Sequence, residues 1–110
     1  MLEARAIAAR HLQRVHAQRF GDDIVILDEW TVVKPRGWVF GYQHRRFLLT
    51  RKMRDALIGN GPIFVDKDNG KIVQFRSARS VDHYYALYES GKTREDRDGV
   101  LHLPVRHGDE

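Results

Sequence analysis

The stretch Gly37-Trp38-Val39-Phe40-Gly41-Tyr42-Gln43 alternates large aromatic residues with smaller ones, and a period of two requires an extended strand with one aromatic face. Such a face must be covered by something. Upstream, Ile24 to Val33 is rich in β-formers and leads into Lys34-Pro35-Arg36-Gly37, where Pro and Gly supply turn chemistry, so the two runs read as a hairpin. Downstream, Ile63-Phe64-Val65 and Ile72-Val73-Gln74-Phe75 flank a polar loop whose Asn69-Gly70 pair predicts a two-residue turn with positive φ. Between the hairpins, Phe47-Leu48-Leu49 reads as continuing or re-entering the sheet. Thr50 reads as the cap of a short helix carrying Met53, Ala56 and Leu57, which Gly59-Asn60-Gly61-Pro62 stops.

Two helices are available as cover. From Leu2 to Phe20, Ala4, Ile7, Ala8, Leu12 and Val15 fall in one stripe, with Arg5, Arg10, Gln13 and His16 outside it and Gly21 placed to end the helix. Near the other end, Ser80 is a good N-cap, Val81, Tyr84, Tyr85 and Tyr88 share a face, and Gly91 is a stop. The expected fold is therefore α+β: an N-terminal and a C-terminal helix on one face of an antiparallel sheet of about four strands. Residues 1–91 form the single domain, and residues 92–110 a polar C-terminal extension with Val100 to Val105 as a possible last extended segment. The expected core is Trp38, Phe40, Tyr42, Val65, Phe75, Val81, Tyr85 and Tyr88 with Ile7 and Leu12. A chain of 110 residues buries roughly two-thirds of the surface its unfolded form exposes, enough for one core without a staple.

The chain has no cysteine, which removes disulfides, thiol nucleophiles and Cys-containing zinc sites and fits a reducing compartment. No apolar run reaches the roughly 18–20 residues of a membrane span, and the N-terminus lacks a secretory h-region, so the expected location is cytoplasmic. The net charge of +4 is unevenly spread: residues 34–55 hold seven bases and one acid, whereas residues 21–33 hold four acids and no base.

The candidate chemistry reduces to ordinary structure. Asp66-x-Asp68-x-Gly70 resembles the start of a calcium loop, but its glycine comes one residue early and Ser77 stands where a bidentate Glu is needed. His11 and His16 lie about 140° apart around a helix, and His102, His107 and Asp109 sit in a polar tail. Ser77, Ser80 and Ser90 lie in no glycine elbow, and neither Asp22-Asp23 nor Asp28-Glu29 forms an acid and base acting on one bond. No catalytic centre, metal or cofactor is expected. The block Lys34 to Arg54 interleaves bases with Trp38, Phe40, Tyr42 and Phe47, which keeps a small basic nucleic-acid-binding domain as the alternative. Against it, those aromatics occupy the face expected to pack under a helix.

Taken in order, Gly37-Trp38-Val39-Phe40-Gly41-Tyr42, then Gly59-Asn60-Gly61-Pro62-Ile63-Phe64-Val65-Asp66-Lys67, then Gly70-Lys71-Ile72 and the helix ending Tyr84-Tyr85-Ala86-Leu87-Tyr88-Glu89 resemble the immunity protein 35, or YrhB-like, family. The resemblance covers residues 2 to about 90. It implies a small α+β domain that binds and neutralises a toxin of a bacterial polymorphic toxin system, the toxin being encoded by a neighbouring gene. Trp38, Gly59, Asn60, Gly61, Pro62, Gly70 and Tyr88 then read as fold determinants, leaving partner specificity to the variable surface. That surface is expected on the basic rim of Arg45, Arg46, Arg51, Lys52 and Arg54, whose charge the packing does not require. A basic rim favours an acidic or neutral partner over a nuclease with a basic cleft.

Overall fold

The computed structural model describes residues 2–20, 24–51 and 61–104, with side chains from residue 3 to 15 in the first helix. Helix α1 (Leu2–Phe20) is followed by the hairpin β1 (Ile24–Lys34) and β2 (Gly37–His44), then α2 (Arg45–Thr50), β3 (Ile63–Asp66), β4 (Ile72–Gln74), α3 (Val81–Glu89), β5 (Arg94–Glu95) and β6 (Leu101–His102). The strands form one sheet in the order β1-β2-β3-β4-β6-β5. The four expected strands are present and antiparallel. Two short strands from residues 92–104 extend the sheet, and β6 runs parallel to β4. Strand β6 falls within the Val100 to Val105 segment expected to be extended, whereas the two-residue β5 carries no periodicity and is not expected.

The helices lie on opposite faces of the sheet, which corrects the expectation that both share one. Ala4, Ala8 and Leu12 of α1 pack against Ile26, Phe40, Tyr42, Ile63 and Val65. Tyr84, Tyr85 and Tyr88 of α3 pack with Val39, Phe64, Val73, Phe75 and Leu103. The reason lies in β3, where Ile63, Phe64 and Val65 are apolar in succession and therefore put apolar side chains on both sides of the sheet. Of the expected core, Leu12, Phe40, Tyr42, Val65, Phe75, Tyr85 and Tyr88 are buried, while Ile7, Trp38 and Val81 are half-buried at its margins. Two aromatic contacts tie the α3 layer together: the Phe64 ring lies 5.1 Å from that of Tyr88 and 5.5 Å from that of Tyr85.

Two local expectations change and a third is untested. Phe47-Leu48-Leu49 is not sheet but helix α2, which ends at Arg51 in a left-handed conformation (φ 58°), its N–H donating to Phe47 O at 2.7 Å. The helix expected after Thr50, with Met53, Ala56 and Leu57, falls outside the described residues. Asn69-Gly70 is not a two-residue turn: Asp66 N donates to Lys71 O at 3.0 Å and Gly70 N to Asp66 O at 2.9 Å, closing a four-residue loop. Only Gly70 needs positive φ there (69°). The side-chain oxygens of Asp66 and Asn69 accept from Asp68 N and Lys71 N, each at 2.8 Å, and these Asx bonds hold the wider loop. Ser80 caps α3 as expected, accepting from His83 N at 3.1 Å.

Candidate partner-binding surface

Most of the motif residues build scaffold. Asp66, fully buried at the end of β3, accepts from the Tyr88 hydroxyl at 2.6 Å and lies 3.5 Å from Arg36 Nη2. Arg36 also stacks over the Tyr88 ring at 4.9 Å. Burial by itself would raise the Asp66 pKa, but the Tyr88 hydroxyl, the Asp68 and Asn69 backbone and the Arg36 charge outweigh it and hold the carboxyl below its usual range. The same burial, with the Asp66 carboxylate beside it, pushes the Tyr88 phenol up to about 12. Gly61 is fixed by crowding: a Cβ there would lie 2.2 Å from Phe75 O. Its carbonyl accepts from the Tyr42 hydroxyl at 2.8 Å, and Pro62 O accepts from Phe75 N at 3.0 Å. Gly59 and Asn60 lie outside the described residues.

Among the described residues, no three His, Asp or Glu side chains come together as a metal site would require. The Asp66-Asp68 pair that resembled a calcium loop is committed to the turn and to Tyr88. His102 pairs with Asp96 at 2.8 Å, and that bond, with the Val100 and Asp98 backbone N–H groups, holds the Asp96 carboxyl at about 2. Asp28 is bound by Arg5 through two hydrogen bonds of 2.8 and 3.1 Å, an exposed pair that holds its carboxyl below the ordinary value.

Of the expected basic rim, Arg45 and Arg46 open helix α2 and Arg51 ends it, and all three are exposed. Arg51 lies 5.8 Å from the centre of the Phe47 ring. Lys52 and Arg54 fall outside the described residues. Two cations in the first turn oppose the helix dipole, which favours acids there, and α2 has no acid in that turn. Of the aromatics interleaved with the bases, Phe40 and Tyr42 are buried under α1 and unavailable for stacking on nucleotide bases.

One surface feature escaped sequence reasoning. Leu27 pairs with Gly41 and Val32 with Val39, so residues 28–31 of β1 bulge outward opposite Phe40. The bulge carries Trp30, 58% exposed, whose ring leans on Gly41: a Cβ there would meet Trp30 Cε3 at 3.0 Å. Trp30, Val39, Gly41, Tyr42, Pro62 and Val81 line an open groove of about 240 Å³. The groove lies between the start of α3, where Val81 borders it, and the bulge of β1 that carries Trp30. A signal was present in Leu27-Asp28-Glu29-Trp30, where two acids interrupt an apolar run.

Among the described residues, no helix is long and apolar enough to cross a membrane. A stretch of 57 residues is 37% identical to the uncharacterized protein YrhB of Escherichia coli (strain K12), covering 52% of this chain and 61% of that relative, so the match spans about three-fifths of the relative's length. No solved structure matches the chain. The family pattern of Immunity protein 35 matches residues 2–88, a span that takes in α1, both hairpins and the Tyr88 hydroxyl bound to Asp66, and the chain belongs to the Immunity protein 35 family.

Proposed function

We propose that this protein binds a cognate bacterial toxin, encoded beside it, and neutralises it by covering the toxin's working surface, with no catalytic step and no cofactor. The observation that carries the reading is the family match over residues 2–88. Membership of an immunity family implies a toxin partner. The polar groups fit a binding module: the buried carboxylate, Asp66, is bound to Tyr88 and Arg36, a structural task rather than an acid–base one. The complex forms in the cytoplasm, before the toxin reaches its target.

Arg45, Arg46 and Arg51, continued by Lys52 and Arg54, form the charged edge of the contact and face an acidic or neutral toxin surface. Their support is the exposure of Arg45, Arg46 and Arg51 along one short helix. The test is co-expression of the neighbouring toxin gene with and without this chain, followed by co-purification. Rescue of growth together with a stoichiometric complex is the expected result. Rescue without a complex, or complete inactivation of the toxin by less than equimolar amounts of this protein, is the outcome that refutes occlusion.

A further inference from the structure

We infer that the pocket between the C-terminal end of α3 and strands β5 and β6 binds a small organic phosphate, gripped by Lys92 and Arg94. Both residues lie beyond the family span of residues 2–88, so the site is independent of the toxin-binding reading.

The end of the sheet brings the cations together. Arg94 of β5 stands opposite His102 of β6, and residues paired across two strands put their side chains on the same face. Their neighbours Glu95 and Leu101 are paired on the other face, where Leu101 packs against the α3 layer. Gln74 pairs with His102 across the parallel edge, and Arg76, two residues further on, comes to the same side. The chain leaving α3 supplies Lys92 and Thr93, turned by Thr93 N donating to Gly91 O at 3.2 Å. Arg76, Lys92, Thr93, Arg94, His102 and Pro104 then line one concavity of about 450 Å³, within the roughly 300–1,000 Å³ of small-molecule sites. A nucleic-acid backbone needs an extended basic track instead.

Charge selects an anion. Among the described residues no acid lines the concavity. Glu95 is bound by Lys71 on the opposite face of β5. Asp96 is held by His102 at 2.8 Å and by the Asp98 and Val100 N–H groups at 2.9 and 3.0 Å. Glu89, in the last turn of α3, and Asp98, with Arg97 beside it in the chain, are exposed outside the lining. Arg76 is already engaged, so the charge that meets a ligand is that of Lys92 and Arg94, both exposed and, among the described residues, in no ion pair. Two cations with the Thr93 hydroxyl between them match a phosphate monoester, which carries about −1.5 to −2 near neutral pH and three acceptor oxygens. A carboxylate would leave one cation unmatched. Leu103 and Pro104 give the concavity an apolar side, which accommodates an organic body on the phosphate.

The experiment titrates the full chain with phenyl phosphate, inorganic phosphate, benzoate and phenol at constant ionic strength, by calorimetry, for the wild type and its Arg94→Gln, Lys92→Gln and Arg97→Gln variants. The ligand-free thermal midpoint and circular dichroism of each are recorded alongside. Phenyl phosphate is expected to bind about tenfold or more tightly than benzoate or phenol. Arg94→Gln and Lys92→Gln should each weaken it about tenfold or more, as loss of a hydrogen bond from a charged donor does. Arg97→Gln, an exposed position outside the lining, should leave it within about twofold. Should Arg94→Gln lower the midpoint by loosening β5, Lys92→Gln, which lies in no strand, carries the same expectation. Phenyl phosphate that does not bind at millimolar concentration, benzoate that binds equally well, or an Arg97→Gln effect as large as that of Arg94→Gln overturns the inference. Inorganic phosphate that matches phenyl phosphate in affinity overturns its organic part. A single-stranded oligonucleotide that displaces phenyl phosphate and binds more tightly assigns the cations to nucleic acid and overturns the inference as well.

Discussion

The Tyr88 hydroxyl donates to Asp66 Oδ2 across 2.6 Å, tying the last turn of α3 to the end of the central strand β3. A buried carboxylate is tolerable only with donors around it. Tyr88→Phe removes one of them and is expected to cost about 1–3 kcal/mol, read as a shift in urea midpoint at neutral pH. The folded-state pKa of Asp66 lies below its unfolded value, so its stabilisation is present above the unfolded carboxylate range and is lost as pH falls through the folded pKa. In Tyr88→Phe that loss should begin at higher pH. An acid unfolding curve superimposable on the wild type would contradict this.

Alkaline stability follows the opposite sign. Tyr42 and Tyr88 are both pushed up to about 12, chiefly by burial. Their contribution is full below the ordinary phenol pKa of about 10 and declines as pH rises toward 12. Thermal midpoints measured from neutral to strongly alkaline pH should hold and then fall in that window. Tyrosinate absorbance should show a late-titrating component that Tyr42→Phe and Tyr88→Phe each reduce.

Burial ranks the aromatic positions differently from their order in the sequence. Phe64 is fully buried between Phe75, Tyr85 and Tyr88, and Phe64→Ala should cost about 3–5 kcal/mol. Trp38, half-buried at the edge of the α1 face, should cost less when truncated. Equilibrium denaturation of the two variants checks the ranking, and a larger loss at Trp38 would refute it.

Gly70 holds a φ of 69° in the loop between β3 and β4, with Ile7 Cδ1 at 3.4 Å from where its Cβ would stand. A β-branched residue there is strained by about 1–3 kcal/mol. Gly70→Val should lower the midpoint accordingly while the remaining folded fraction binds the toxin with unchanged affinity. Loss of affinity at full stability would make this loop a contact.

Reversal of Arg45, Arg46 and Arg51 to Glu should slow toxin association at low salt by about tenfold or more, with a smaller effect at high salt. Folding should be unharmed, since acids in the first turn of α2 suit its dipole. Stopped-flow association at two ionic strengths reads both. A rate unchanged at low salt would move the charged contact away from α2.

Local pattern determined much of this protein. Alternation in residues 38–42, the Pro-Arg-Gly turn, the tyrosine stripe of α3 and the Ser80 cap are legible because each depends on a few neighbouring residues and on backbone geometry with a fixed period. The family resemblance was legible for the same reason, its motifs being scaffold positions. What only the tertiary structure decided are relations across the sheet. Asp66 reads as a turn former until Tyr88 and Arg36, both distant in sequence, converge on it. The two helices take opposite faces because β3 is apolar on both, and residues 94–95 and 101–102 become strands only because β4 offers an edge. Trp30, inside a run that reads as ordinary strand, sits exposed on a bulge of β1. Side-chain periodicity says which residues need cover, but the length and placement of the covering elements decide which of them receive it.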